Sequence, residues 1–323
     1  YDRRRWSVAV DGDRVVSTMG SFPMSARIGD CAVPGSMLEF VATDQSYEGQ
    51  GLVRRQFDYH HQDLNARGDL FQIIVGITYF YRRLGYEYAV PVGAWREIPA
   101  GSGARPEDGW SVREAVESDL DTIVASQDVA FAAAGMAIGF DESLAAWVLR
   151  SPVYRTLIAE REGEVATGRL YMDDDDLYVL DLAATSRSGA VAVLDAVAAT
   201  AADKDLTLHE RPAVADFVDG IGESRPAGDA YYARIHDPVA WLNAVRPELS
   251  RRLRASVLGG QSGEGLISLY SSSIRFSYEA GEVGEFVGGP REQAPISKGG
   301  SGVAPDLTTS LLLGPLGFSG LAE

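Results

Sequence analysis

The chain has 323 residues, of which 46% are hydrophobic and 23% are charged, a composition that allows packed cores in two or three domains and excludes disorder as a whole. Its 29 basic and 46 acidic side chains give a net charge of −17, which disfavours nucleic acid as a partner and leaves two readings, a cationic ligand or plain solubility. No apolar run approaches the ~18 residues of a membrane span. Cys31 is the only cysteine, which excludes an intrachain disulfide and fits a reducing, cytoplasmic compartment.

The first ninety residues predict an antiparallel meander that passes into an α/β unit. Asp11-Gly12 marks a hairpin turn, and Gly68 is placed to end a helix. The chain begins at Tyr1 without methionine or a signal-like segment, so we expect natural residues before it. The predicted elements here are strands at 6–10, 14–20 and 36–43, a helix at 52–67, a strand at 69–75, a short helix at 77–84 and a strand at 86–92.

Residues 98–109 are rich in Gly, Pro and Ala and predict a linker to a second unit. That unit is predicted to contain helices at 120–131, 189–202 and 216–221, with strands at 154–160, 165–172 and 177–183. A third part begins near residue 234, with one amphipathic helix at 241–253, strands at 265–270 and 274–280, and a helix at 307–313. The Asp173–Asp176 run is predicted to be a solvated hairpin tip.

A glycine-rich turn early in the chain is the first candidate site. The strand 38–43 is followed by Ser46-Tyr47-Glu48-Gly49-Gln50-Gly51, and the predicted helix opens at Leu52. A helix N-terminus has unpaired N–H groups and attracts phosphate, and glycines permit close approach of a ligand. The alternative is an ordinary strand-to-helix connection.

A weaker copy of this pattern lies at 180–185, followed by Gly189 and by Val191 in place of the last glycine. We expect its binding chemistry to be lost. The four histidines lack metal-ligand spacing, so no metal site is predicted.

The turn together with Phe80-Tyr81-Arg82-Arg83-Leu84-Gly85-Tyr86 resembles the GNAT superfamily of acetyl-CoA-dependent N-acetyltransferases, although Ser46 departs from the usual R/Q-x-x-G-x-G/A turn. The order of units is similar to that of the enhanced-intracellular-survival acetyltransferases. The resemblance implies an α+β fold: tandem GNAT-like mixed-sheet domains followed by a sterol-carrier-protein-like α+β domain. It implies a catalytic N-terminal GNAT domain at 1–103 lacking its first elements, a degenerate GNAT domain at 104–232 and a sterol-carrier-protein-like domain at 233–323.

The resemblance also implies roles for individual residues. The backbone of Val41 and Thr43 would pair with the pantetheine arm of acetyl-CoA. The pyrophosphate would be held by backbone N–H groups of Glu48, Gly49, Gln50, Gly51 and Leu52.

Two side chains are candidates for catalysis. Tyr81 matches the family's tyrosine general acid, which protonates the thiolate of coenzyme A; its alternative is a core aromatic. Glu39 could accept a proton through water; its alternative is an ordinary strand carboxylate. The family's C-terminal carboxylate base stays open, because this chain ends at Glu323.

The predicted function is therefore direct acetyl transfer from acetyl-CoA to a primary amine of a cationic small molecule, such as an aminoglycoside or polyamine, or of a lysine. We expect a homo-oligomer. The alternative is a non-catalytic coenzyme A- or lipid-binding protein that uses its C-terminal domain.

Overall fold

The computed structural model describes residues 5–77, 79–91, 93–102, 104–132, 136–138, 142–172, 176–226, 230–292 and 300–314. Its strands are β1 Arg5–Asp11, β2 Arg14–Ile28, β3 Cys31–Thr43, β4 Phe71–Ile74, β5 Glu87–Pro91, β6 Ala94–Ile98, β7 Ser111–Glu114, β8 Met136–Ile138, β9 Tyr154–Arg161, β10 Glu164–Met172, β11 Leu177–Ala183, β12 Leu206–Glu210, β13 Glu223–Arg225, β14 Ala230–Ile235, β15 Gly263–Ser268, β16 Ser272–Glu279, β17 Glu282–Val283, β18 Val287–Pro290 and β19 Gly300–Gly302.

The helices are α1 Leu52–Arg67, α2 Leu120–Ala132, α3 Glu142–Arg150, α4 Arg187–Ala198, α5 Pro238–Ala244, α6 Arg246–Arg254 and α7 Thr308–Leu313. Short 3₁₀ turns lie at Gln45–Tyr47, Tyr81–Leu84, Glu117–Asp119 and Pro305–Leu307. The predicted α+β class is confirmed. None of the helices within the described ranges is long and apolar enough to cross a membrane.

The chain divides into two compact units. Unit A comprises Asp2–Pro91 together with Asp229–Glu323, and unit B comprises Val92–Gly228. The predicted three-domain division stays a prediction. The segment predicted to be the third domain lies, by its contacts, in the same unit as the first ninety residues.

The main sheet of unit A has the order β1-β2-β3-β4-β14-β5. Strands β1 to β3 form an antiparallel meander, α1 crosses over the sheet, and β4 pairs parallel to β3. Strand β14 lies antiparallel between β4 and β5. One buried cluster joins this sheet to α1 and contains Met19, Leu38, Phe57, Ile74, Tyr81, Tyr86 and Tyr232.

Helix α1 has the predicted bounds because both of its ends are encoded locally. Gly51 at the N-cap and Gly68 at the C-cap both adopt the left-handed conformation, with φ of 75° and 76°. The Gly68 N–H bonds the carbonyls of Leu64 and Asn65, which satisfies groups at the helix end. Phe57 and Leu64 are fully buried against the sheet.

The sheet of unit B has the order β13-β6-β12-β11-β10-β9-β7. It repeats the pattern of unit A, since the meander β9 to β11 is followed by α4 and by β12, which is parallel to β11. Strand β6 lies antiparallel between β12 and β13. Strands β6 and β14 thus hold equivalent places in the two sheets.

The C-terminal part of unit A adds a smaller sheet of order β17-β16-β15-β19, with β18 also paired to β16. The single helix predicted at 241–253 is wrong, because it is two helices, α5 and α6, with Val245 between them. Pro247 lacks an N–H and its ring would clash with the carbonyl four residues earlier, so a new helix begins there. The helix predicted at 216–221 is also wrong, since these residues form turns and bends.

Candidate functional site

Strand β3 carries a β-bulge at the centre of the candidate site. Thr18 of β2 pairs with Ala42 and Gly20 pairs with Glu39, so two residues of β3, Phe40 and Val41, lie opposite one residue of β2. Phe40 has a φ of 55°, which a residue with a side chain rarely adopts. A bulge interrupts the hydrogen-bond ladder and redirects backbone groups, as is common beside active sites.

The segment of β3 that contains the bulge also has a free edge. Strand β4 pairs with β3 only from Gly35 to Met37, whereas β3 continues to Thr43. Within the described chain, residues 38–43 therefore have no strand partner on the β4 side. An unpaired edge of this kind accepts an extended ligand as an added strand. Val41 and Thr43, the predicted pantetheine contacts, both lie on it.

The loop from β3 to α1 is braced by Asp44, a residue that the sequence interpretation missed. Its carboxylate accepts a hydrogen bond from the Ser46 backbone N–H at 3.0 Å and forms an ion pair with Arg14. The hydrogen bonds from Ser46 lower the pKa of Asp44. The Tyr47 hydroxyl donates to Asp11 at 2.5 Å. Ser46 therefore stabilises the loop itself. The sequence signal for this was Asp44 two residues before Ser46, since Asp often accepts a hydrogen bond from the backbone N–H two residues later in an Asx turn.

The glycines end this loop at an open helix N-terminus. Gly49 and Gly51 have φ of 74° and 75°, and a Cβ added to either would meet no protein atom within 4 Å. Gly51 offers no side-chain cap, and the first turn of α1 contains no acidic residue. The first N–H groups of α1 therefore have no capping side chain, and the partial positive charge of this helix end suits a phosphate. Glu48 and Gln50 are exposed beside them, and Leu52 is half-buried.

Tyr81 opens the 3₁₀ turn after β4 and is buried, with 5% of its surface exposed. Its ring lies 5.4 Å from that of Tyr232 and 6.0 Å from that of Phe57. No described residue forms a hydrogen bond with its hydroxyl. A Cβ on Gly76 would lie 3.1 Å from this hydroxyl, so glycine there keeps the space beside it clear.

Glu39 and Tyr81 interact electrostatically. Burial raises the pKa of Tyr81, and the charge of the Glu39 carboxylate raises it further. Burial also raises the pKa of the half-buried Glu39. The two predicted catalytic side chains thus lie close enough to interact. Tyr81 is also packed in the core, as its alternative interpretation as a core aromatic residue predicts.

Unit B has a bulge at the equivalent place but no comparable loop. Asp181 has a φ of 51°, and the register shifts there as it does at Phe40. Only residues 184–186 separate β11 from α4, whereas residues 44–51 separate β3 from α1. Gln127 donates a hydrogen bond to the Asp181 carbonyl at 2.7 Å, so protein atoms occupy this bulge.

The interpretation of Gly189 as a surviving turn glycine is wrong. It lies inside α4, where its N–H bonds the Ser186 hydroxyl at 3.1 Å. A Cβ added there would lie 3.0 Å from Trp110 and 3.2 Å from Ala166. Glycine is needed at this position for helix–sheet packing. Unit B thus has a shorter connection at this place, without the glycine loop of unit A.

Other candidate chemistry is sparse. No group of three or more His, Cys, Asp or Glu residues in the described ranges is arranged to hold a metal ion. Cys31 is buried at the start of β3. Of the Asp173–Asp176 run, residues 173–175 lie outside the described residues.

Residues 1–89 match the acetyltransferase (GNAT) domain family model. This segment contains the meander, the bulge, the glycine loop, α1 and Tyr81. No curated protein matches the sequence.

Solved structures share the fold over most of the chain. A GCN5-related N-acetyltransferase from Kribbella flavida is 20% identical with a TM-score of 0.65, over 90% of this chain and 74% of that chain. A probable N-acyltransferase from Enterococcus faecalis is 12% identical with a TM-score of 0.70, over 97% and 80%. Eis1 from Mycobacterium abscessus is 16% identical with a TM-score of 0.61, over 98% and 82%. These likenesses establish a fold seen in GNAT N-acetyltransferases.

Proposed function

We propose that the GNAT domain of unit A binds acetyl-CoA and transfers its acetyl group to a primary amine. The observation that carries this proposal is the combination, within one short segment, of a bulged strand with a free edge and an uncapped helix N-terminus. Coenzyme A has a complementary layout, since its pantetheine arm is an extended amide chain and its pyrophosphate is an anion.

In this proposal the backbone holds the coenzyme. The backbone of Val41 and Thr43 pairs with the pantetheine arm, and the N–H groups from Glu48 to Leu52 bind the pyrophosphate. The redirected backbone at the Phe40 bulge lies where the thioester carbonyl would approach the strand and supports its polarisation. The open space at Gly49 and Gly51 supports this placement.

Two side chains move protons. The amine attacks the thioester carbon, a C–N bond forms, the C–S bond breaks and coenzyme A leaves as a thiolate. Tyr81 gives its phenolic proton to that thiolate, and a phenol with a raised pKa holds this proton at neutral pH. Glu39 accepts the ammonium proton through water, and its raised pKa makes it a better base than an exposed glutamate.

The acceptor is a cationic amine, such as an aminoglycoside, a polyamine or a lysine side chain. The net charge of −17 supports this class, because a negative surface attracts cations. We further propose that unit B is a degenerate second GNAT domain, that the C-terminal part is a sterol-carrier-protein-like domain, and that the protein is a cytoplasmic homo-oligomer.

Calorimetry with acetyl-CoA followed by a thiol-release assay across an amine panel tests the proposal. The panel pairs each amine with the matching alcohol as a control. We expect saturable acetyl-CoA binding and thiol release with at least one amine and with no alcohol. Binding without turnover on any amine would favour a non-catalytic coenzyme-binding protein, and absence of binding would overturn the proposal.

A further inference from the structure

A buried polar row crosses the main sheet of unit A near the middle of β3, where β3 is paired with β4. Ser36, Gln72 and Arg234 are neighbours in register on β3, β4 and β14. The Gln72 side-chain amide donates to the Ser36 hydroxyl at 3.0 Å, and the Tyr86 hydroxyl donates to the Gln72 side-chain carbonyl. Gln72 and Ser36 are fully buried and Tyr86 almost so.

The row ends at His61 of α1. The His61 Nε2 atom lies 2.9 Å from the Tyr86 hydroxyl oxygen. Because the single phenolic hydrogen of Tyr86 goes to Gln72, His61 must donate this second bond from a protonated Nε2. The neutral tautomer of His61 is thereby fixed, and a second proton can be added only at Nδ1.

Arg234 lies at this row without an opposite charge. Its Nη1 atom is buried and has no hydrogen-bond partner, and no carboxylate in the described chain forms an ion pair with it. The next basic side chain, His236, has a buried Nδ1 atom that is also without a partner. A buried cationic N–H group without an acceptor is costly, so the Nη1 atom of Arg234 points to a missing anion.

The carboxylates around His236 are already engaged. Asp69 forms an ion pair with Arg67 at 2.6 Å, and Asp237 accepts hydrogen bonds from the first N–H groups of α5. Burial, together with the charges of Arg234, His60 and His236, lowers the pKa of His61 to about 4.

We propose that Arg234, His236 and His61 form a binding site for a small oxoanion of the sulfate or phosphate class. Arg234 supplies the permanent charge, and the two histidines take up protons when the anion binds. Arg234 and His236 remain half-exposed as residues, which leaves the ligand a route from solvent.

This site is distant from the proposed phosphate-binding end of the coenzyme site, although the ring of Tyr86 in the row lies 6.4 Å from that of Tyr81. Ser36 and Thr43 are seven positions apart on β3, which corresponds to about 23 Å along a strand. His61 lies nine residues beyond Leu52, or about 13 Å along α1. The phosphates of acetyl-CoA held at Gly51 therefore do not fill it.

Sulfate is the suitable probe, because its charge is constant across the range in which histidine titrates. The ring resonances of the four histidines are followed by NMR during a sulfate titration against chloride at equal ionic strength. We expect the pKa values of His61 and His236 to rise by about one unit or more on saturation. His209, which belongs to unit B, is the internal control. Unchanged His61 and His236 resonances up to about 50 mM sulfate would overturn the proposal.

Two variants test whether Arg234 supplies the positive charge that binds sulfate. Arg234→Met should weaken sulfate binding by about tenfold or more, whereas Arg246→Met, which removes an exposed arginine of the same unit, should leave it unchanged. Equal affinity in Arg234→Met and the wild type contradicts the assignment. If Arg234→Met does not fold, the histidine titration of the wild type decides alone.

Competition identifies the source of the anion. Glycerol 3-phosphate is compared with inorganic phosphate, since a preference for the ester would indicate a phosphorylated metabolite and equal binding a free anion. Saturating acetyl-CoA is added in a separate titration. Sulfate binding should persist in its presence, and loss of binding would show that the cluster belongs to the coenzyme site.

Discussion

The charge of the Glu39 carboxylate raises the pKa of the Tyr81 phenol, although the two residues lie 42 positions apart in the chain and on different elements. The effect acts in the direction that the proposed chemistry needs. While Glu39 is ionised, Tyr81 keeps its proton, and burial of the Tyr81 side chain acts in the same direction. Pairs of titratable groups whose surroundings assign one as acid and the other as base are typical of active sites.

Tyr81→Phe should reduce kcat for acetyl transfer by about 100-fold or more, because a general acid contributes about 10²–10⁴-fold. Acetyl-CoA affinity should stay within about twofold, since the predicted coenzyme contacts are made by backbone groups. The free energy of unfolding should change little, because no described residue bonds the Tyr81 hydroxyl. Thiol release under saturating acetyl-CoA and calorimetry measure the two quantities.

Tyr86→Phe is the matched control for this variant. Tyr86 is buried and its hydroxyl bonds Gln72 and His61, so its loss leaves the Gln72 carbonyl unpaired and should cost about 1–3 kcal/mol of stability. Acetyl transfer by the folded variant should be nearly unchanged. Similar losses of kcat in both variants would mean that Tyr81 acts through packing alone.

The raised pKa of Glu39 leads to a prediction for the acidic side of the pH profile of kcat/KM. Because burial raises its pKa, kcat/KM should begin to fall at a higher pH than an exposed glutamate would allow, as the base becomes protonated. Glu39→Gln should lower kcat/KM and remove this inflection. A profile from about pH 5 to pH 9 for both proteins provides the measurement. An inflection that persists in Glu39→Gln would assign it to another group.

The sequence predicted elements well where their ends are encoded locally. Helix α1 has its predicted bounds because glycines mark both termini, and the strands around residues 38–43 and 177–183 follow from apolar runs. The single helix predicted at 241–253 is wrong because Pro247 interrupts it. The proline was a local signal, but the prediction gave more weight to the helical spacing of the apolar residues. These cases need only neighbouring residues.

The remaining features depend on residues far apart in the chain. The bulge at Phe40 exists only in the pairing register of β3 with β2, and the place of β14 between β4 and β5 depends on a segment about 140 residues later. Arg234 lies beside Gln72 only because β14 takes this place in the sheet. The position of Gly189 inside α4 shows the same limit, since a glycine in a sequence does not reveal whether it serves a turn or a close packing contact.

Gly51→Ala should weaken acetyl-CoA binding through strain in the phosphate-binding turn. Gly68→Ala is a closely matched control, because it imposes the same left-handed strain, about 1–2 kcal/mol, on the other end of the same helix. Both added methyl groups meet open space in the protein. Calorimetry should give a loss of about tenfold in affinity for Gly51→Ala and little change for Gly68→Ala. Equal affinities in the two variants would mean that the coenzyme binds elsewhere.

Gly189→Ala should act on stability and leave coenzyme binding alone. The added Cβ would lie 3.0 Å from the Trp110 ring, which a hydrogen bond from its Nε1 atom to Ser188 holds in place at 2.8 Å. Overpacking of this kind costs about 1–3 kcal/mol. Denaturant unfolding and acetyl-CoA calorimetry on the same preparation measure both effects. Weakened coenzyme affinity would indicate that unit B also contributes to binding.

Acid should destabilise the protein through histidines whose pKa is lowered by the fold, and His61 gives the clearest case. Its pKa falls from 6.5 in an exposed state to about 4 in the fold, so the folded protein binds fewer protons between these values. Its contribution to stability is therefore fully present above about pH 6.5 and is lost as pH falls toward 4. The full shift corresponds to about 3 kcal/mol, and solvent screening at this partly exposed site reduces it to roughly 1–2 kcal/mol. Denaturant unfolding in sulfate-free buffer should show a shallower pH dependence in His61→Asn than in the wild type. Equal slopes would mean that the titration of His61 is not linked to folding.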